Sequence, residues 1–191
     1  MTQLPNTFFR RLATPIDLLE SPGPSEQQLD SVICASANVP DHGNLKPWRI
    51  HVIDKAEQKT LSELRLKIYK IKYPNREESI YQAEGKKFLR SPTLLIVKSA
   101  VNIESSIPVA EQILSGGAFC QNLLLGFNAI GFGAKWVTGW PAYDSEFLAQ
   151  LNLKTPNQLL AFIHIGTPKK NIYADKKITA KEIIEDFPSK R

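Results

Sequence analysis

The sequence predicts a mixed fold of helices and strands, α/β or α+β, around one apolar core. Three observations carry this. Helical periodicity runs through two long stretches, residues 55–72 and 108–130. Continuous apolar runs of strand length stand at residues 93–97 and 159–165. The length of 191 residues and the 42% hydrophobic content are those of an ordinary globular protein. At about 150 residues per domain, the chain is expected to form one domain over residues 1–191. Residues 168–191, rich in lysine, read as a tail that Ile178, Ile183, Ile184 and Phe187 could dock on a surface.

The elements follow in chain order. Ser25 fits a helix N-cap, and Gln28 three positions later completes a capping box. Leu29, Val32 and Ile33 continue at helical spacing, and Pro40 closes the element. Trp48, Ile50 and Val52 alternate with Arg49 and His51, which predicts a strand. Leu61, Leu64, Ile68 and Ile71 mark an amphipathic helix over residues 55–72, ended by Pro74-Asn75. Residues 78–90 predict a second, weaker helix, and residues 93–97 a strand covered on both faces. Residues 108–130 form a helix apolar nearly all round, which predicts burial. Gly116 and Gly117 weaken that helix by roughly 1 kcal/mol each relative to Ala. They predict a close approach of another backbone or a flat ligand. Gly131 and Gly133 stop the helix; Ala134, Trp136 and Thr138 then predict a short strand, and residues 145–148 a short helix. The last strand is expected to end at Gly166.

The net charge of +5 is unevenly spread. Residues 1–54 carry −2, residues 55–91 carry +5, residues 92–167 carry −1 and residues 168–191 carry +3. The basic middle segment interleaves Lys67, Lys70 and Lys72 with acidic residues and with Tyr69, Tyr73 and Tyr81. Mixed signs predict a solvated helix face rather than a nucleic-acid surface. No apolar run approaches the roughly 20 residues of a membrane span. Arg10 and Arg11 follow the apolar pair Phe8-Phe9, the wrong order for a secretory signal. Two cysteines make no disulfide framework, so a reducing, cytoplasmic setting is expected.

The chemistry-bearing residues are few. The sequence holds no P-loop, G-x-G-x-x-G, H-E-x-x-H or G-x-S-x-G motif. No Cys/His/Asp cluster has metal-ligand spacing, so no metal is expected. His51 and His164 stand inside strands and read as structural. Cys34 and Cys120 stand among apolar helix residues and read as buried, inert thiols. The stretch 37–48 is different: a helix ends, a polar loop with two prolines follows, and a strand begins at Trp48. Prolines cut the loop's entropy. Asn38, His42, Asn44 and Lys46 can then offer donors in fixed geometry, which suits a polar, flat, anionic ligand.

Taken in order, Arg10-Arg11, the helix ending in ANVPDHGNLKPWRIHVID, the segment SGGAFCQNLLLGFNAIGFGAKWVTG and the closing FIHIGTPKK resemble the nitroreductase family. The PDH…PW loop and GFGAKWVTG look most like its small YdjA-type NAD(P)H nitroreductases. The resemblance covers roughly residues 5–170. It implies an α+β fold with a central mixed sheet surrounded by helices, and a homodimer with two FMN sites at the subunit interface. It implies an FMN-dependent oxidoreductase using NADH or NADPH, with hydride passing through flavin N5 in a ping-pong cycle to a nitroaromatic, a quinone or a related acceptor. No side chain is then an obligatory acid or base, because the flavin carries the chemistry. A flavin-binding protein of the same fold with lost or altered reductase activity is the alternative. No nucleic-acid or membrane partner is implied.

By position, Arg10, Arg11 and Leu12 match the flavin-binding triplet near the N-terminus. Guanidinium groups suit a phosphate, which they pair bidentately. Asn38 and His42 match loop positions that reach the flavin from the other subunit. Trp136, Val137 and Thr138 match the strand segment that meets the cofactor. Residues 126–131 match a stretch in contact with the nicotinamide dinucleotide. The sequence departs from the family pattern at Leu12, where a hydroxyl is usual, and at Pro15, where a further arginine is common.

Overall fold

A computed structural model describes residues 13–170 and 179–185. Its sheet contains β1 (Leu19–Glu20), β2 (Trp48–Ile53), β3 (Thr93–Ser99), β4 (Gly133–Val137) and β5 (Leu159–Pro168). Its α-helices are α1 (Glu26–Ser36), α2 (Lys55–Lys72), α3 (Glu78–Lys86), α4 (Val109–Ala129) and α5 (Ser145–Gln150). The order runs β1-β5-β3-β2, and β4 also pairs with β5. The fold is α+β.

Every strand pairing among the described residues is antiparallel, which corrects the expected mixed sheet. The reason is topological. β3 and β4 are both antiparallel to β5, so they run parallel to each other with α4 as their crossover. β5 lies between them and takes the hydrogen bonds of both. Gly166 does not end β5; it pairs with Gly133, and the strand continues to Pro168.

The start signals hold. Ser25 Oγ accepts from Gln28 N at 3.3 Å, and Ser25 N donates to Gln28 Oε1 at 2.9 Å. Asp54 and Glu57 form the same reciprocal cap for α2. The strand over residues 93–97 is covered on both faces, as its apolar run predicts. Leu95 and Val97 pack with Phe119, Cys120, Leu123 and Phe127 of α4. Leu94 and Ile96 pack with Phe88, Phe147 and Phe162 on the opposite face.

Some packing differs from expectation. α4 is not buried all round: Leu114 is 72% exposed, and nothing lies near the Cβ position of Gly117. Gly116 marks a close approach of a side chain rather than of a backbone or a flat ligand: a Cβ there would stand 2.5 Å from Leu160 Cδ1. Cys34 is exposed because α1 turns Val32 and Ser36 inward. Cys120 is buried as expected, and burial pushes its thiol up to about 12. Ile183 and Ile184 are exposed rather than docked, while Ile178 and Phe187 lie outside the described residues. The basic middle segment is only partly a solvated face. Arg65 is buried on Glu84, Lys72 pairs with Asp144, Lys87 with Glu84, and Lys55 Nζ donates to Ser91 O at 2.8 Å.

His164 is structural. Its Nδ1 lies 2.8 Å from Ser91 Oγ, which in turn donates to Thr93 O at 2.9 Å. Burial, helped by the charges of Arg90 and Arg65, lowers its pKa from 6.5 to about 4. The unfolded chain therefore binds more protons between those values, and stability falls as pH drops through that window. The expected loss is about 3 kcal/mol between pH 6.5 and 4. Chemical denaturation across this range checks it. His164→Gln should lose that component of the slope, and an unchanged slope would contradict the assignment.

Candidate functional site

The loop after α1 is held at both ends and in the middle. Asp41 Oδ2 accepts from Lys46 N at 2.7 Å, and Asn44 N donates to Asp41 O at 3.0 Å. Gly43 has φ +70°, and a Cβ there would meet Ile107 Cδ1 at 2.4 Å. Asn44 and Lys46 also adopt positive φ, which Asn tolerates better than most residues. The loop is then strapped to α4. Ser115 Oγ donates to Pro40 O at 2.7 Å. Asn122 Nδ2 donates to Asn38 O at 3.2 Å and Ser36 O at 3.3 Å. His42 Nδ1 lies 2.8 Å from Glu111 Oε2. The backbone of the loop is fixed, while the side chains of Asn38 and His42 face solvent.

Trp136, Val137 and Thr138 lie at the end of β4. Trp136 pairs with Ile163 and Val137 with Phe162 across to β5. Trp136 Nε1 donates to Leu160 O at 2.9 Å, so the indole is oriented and its polar atom satisfied. Thr138 follows the strand, half-buried, before Gly139 at φ +67°. Thr14 N donates to Ala134 O at 3.2 Å, which ties the incoming chain to this strand. Arg10, Arg11 and Leu12 lie outside the described residues. Pro15 has its own local role: its carbonyl accepts from Leu18 N at 2.9 Å and starts a 3-10 turn.

The sequence-predicted residues thus fall into two groups on one chain. Among the described residues no hydrogen bond joins the Asn38–His42 loop to residues 136–138. Trp48 belongs to neither; it is buried and stacks on Phe119 with ring centroids 5.1 Å apart. Residue 126, in the segment matched to nicotinamide contact, serves packing: a Cβ on Gly126 would stand 2.7 Å from Val32 Cγ1. A separate cleft of about 320 Å³ opens between β2, β3, α2 and α5, lined in part by His51, Glu57, Lys98 and Asn152. Of the described site residues, neither Asn38, His42 nor residues 136–138 line it.

Residues 17–167 match the family model described as "Nitroreductase family". The chain belongs to the nitroreductase family. A "Putative NAD(P)H nitroreductase" of Haemophilus influenzae is 27% identical over 150 residues, covering 78% of this chain and 80% of the relative. "Putative NAD(P)H nitroreductase YdjA" of Escherichia coli K12 is 24% identical over 151 residues, covering 79% of this chain and 81% of the relative. A Desulfovibrio desulfuricans nitroreductase structure, solved in complex with FMN, shares the fold at TM-score 0.72. It is 18% identical, and the alignment covers 99% of this chain and 100% of that one. Nitroreductase membership supports an oxidoreductase enzyme. Among the described residues no helix is long and apolar enough to cross a membrane, and no metal-binding cluster occurs.

Sequence reading missed the strap from α4. Glu111, Ser115 and Asn122 stand at i, i+4 and i+11 of a largely apolar helix, which places them on one face. That polar row was the available signal.

Proposed function

We propose that this nitroreductase-family chain is an FMN-dependent NAD(P)H oxidoreductase acting as a homodimer, one domain per chain, in the cytoplasm. Family membership over residues 17–167 is the observation that carries the reading. The neighbour solved with FMN and the relatives named for NAD(P)H support it.

The donor set fits a flavin nucleotide. The Asn38 side chain, the His42 Nε2 and the Thr138 hydroxyl have no hydrogen-bond partner among the described residues; the Asn38 amide and the Thr138 hydroxyl can donate to carbonyl, ribityl or phosphate oxygens, and Nε2 can accept from a ribityl hydroxyl or the ring imide. In this reading Arg10 and Arg11 take the phosphate. Leu12, Trp136 and Val137 supply apolar contact and exclude water from one side. Asn38 and His42 reach in from the second subunit. When bound, FMN supplies hydride chemistry at N5, from NADH or NADPH to a nitroaromatic, quinone or related acceptor in ping-pong order.

Anaerobic titration of the FMN-loaded protein with NADPH or NADH tests the donor step. The visible flavin band should bleach, and an added quinone or nitroaromatic should restore it. A bound flavin that neither donor bleaches would leave a flavin-binding protein without this reductase activity.

A further inference from the structure

The contact between His42 and Glu111 joins residues 69 positions apart, from the loop after α1 and the first turn of α4. At 2.8 Å it is a full hydrogen bond, not a passing ion pair. Both side chains are largely exposed, at 68% and 48%, so no packing forces them together. An ionised carboxylate can only accept, so the proton in this bond sits on His42 Nδ1. In the neutral ring Nε2 is then left bare. The same helix face grips the loop backbone through Ser115 and Asn122, so the ring has a fixed base as well as a fixed tautomer.

We propose that Glu111 is a positioning residue that holds His42 in its Nδ1–H form and presents Nε2, as an acceptor, to hydroxyl or imide donors of the bound flavin nucleotide. The ligand half rests on the function proposed above; the tautomer half does not. Such an outer partner sets which ring nitrogen is free and how the ring is turned.

Nitrogen-15 NMR of histidine-labelled full-length protein tests it, with His42 signals assigned by their loss in His42→Gln. The spectra are taken near pH 8, roughly 1.5 units above the ordinary imidazole value. Wild type should show a protonated Nδ1 and an unprotonated Nε2. Glu111→Gln should keep this pattern, because the amide oxygen still accepts. Glu111→Ala should shift His42 toward the Nε2–H form. An Nε2–H or doubly protonated ring in wild type, or an unchanged tautomer in Glu111→Ala, overturns the proposal. FMN titration of the same proteins should show affinity about tenfold weaker in Glu111→Ala, the loss of roughly one oriented hydrogen bond, and nearly wild-type in Glu111→Gln. Equal FMN affinity in wild type and Glu111→Ala overturns the ligand half. Wild type that takes up no FMN removes the proposed function, while the tautomer result stands or falls by itself.

Discussion

Leu114→Glu is expected to give a folded monomer that no longer retains FMN. Leu114 is 72% exposed in the second turn of α4, and the Cβ position of Gly117, three residues on, opens to empty space. Ala118 and Leu125 continue the same face, half-buried, past Gln121. A helix side of small and apolar residues suits close approach to another helix. In a twofold dimer each substitution acts twice. Losing two buried leucines costs roughly 3–6 kcal/mol at about 1.5–3 kcal/mol each, before any cost of burying the new charges. That is enough to separate the subunits at ordinary protein concentrations. Leu114 belongs to neither core cluster, so the fold should survive. The proposed site takes Asn38 and His42 from one subunit and residues 136–138 from the other, so monomers should lose FMN by mass action. Sedimentation and flavin absorbance on the same sample check both effects. A variant that stays dimeric, or a monomer with FMN still bound, would contradict the shared site.

Glu84→Ala is expected to lower stability by about 3–5 kcal/mol, the usual cost of breaking a buried ion pair. Arg65 and Glu84 are 5% and 6% exposed. Glu84 accepts from Arg65 Nε at 2.9 Å, Arg65 Nη2 at 2.7 Å, Trp140 Nε1 at 3.2 Å and Lys87 Nζ. Burial works to raise the Glu84 pKa, but Lys87, Arg65 and Trp140 outweigh it and hold the carboxyl below its usual range. Arg65 in turn stacks over Phe88 and Trp140, 5.2 Å from each ring centroid. Removing Glu84 leaves that guanidinium buried without its anion. The denaturation midpoint should fall with little change in slope. A loss under roughly 1 kcal/mol would place the pair among ordinary surface bridges. The double variant Arg65→Met, Glu84→Leu should recover much of the loss, because apolar pairs of similar volume replace buried ions well.

The Arg65–Glu84 pair also shows where the sequence stopped being legible. Helix α2 was readable from Leu61, Leu64 and Ile68, where period and burial agree, whereas Ile71 of the same stripe is 63% exposed. Arg65 lies one position past that stripe and read as part of a solvated face. Its partner is 19 residues away on α3, and no local pattern encodes that meeting. Strands β3 and β5 were legible because both faces are apolar. The sense of their pairing was not, since it depends on β5 lying between β3 and β4. Likewise the apolar content of α4 was plain, but not that Leu114 would face outward. In the candidate site, the Asn38–His42 loop stood out through its prolines and polar residues. The roles of Glu111 and Asn122 emerged only when folding brought α4 beneath that loop.

Titration of the purified, flavin-free protein with FMN tests the central claim most directly. The account predicts saturation at one FMN per chain, two per dimer, with a visible band that NADPH or NADH bleaches under anaerobic conditions. A protein that gains no visible band from added FMN would contradict it.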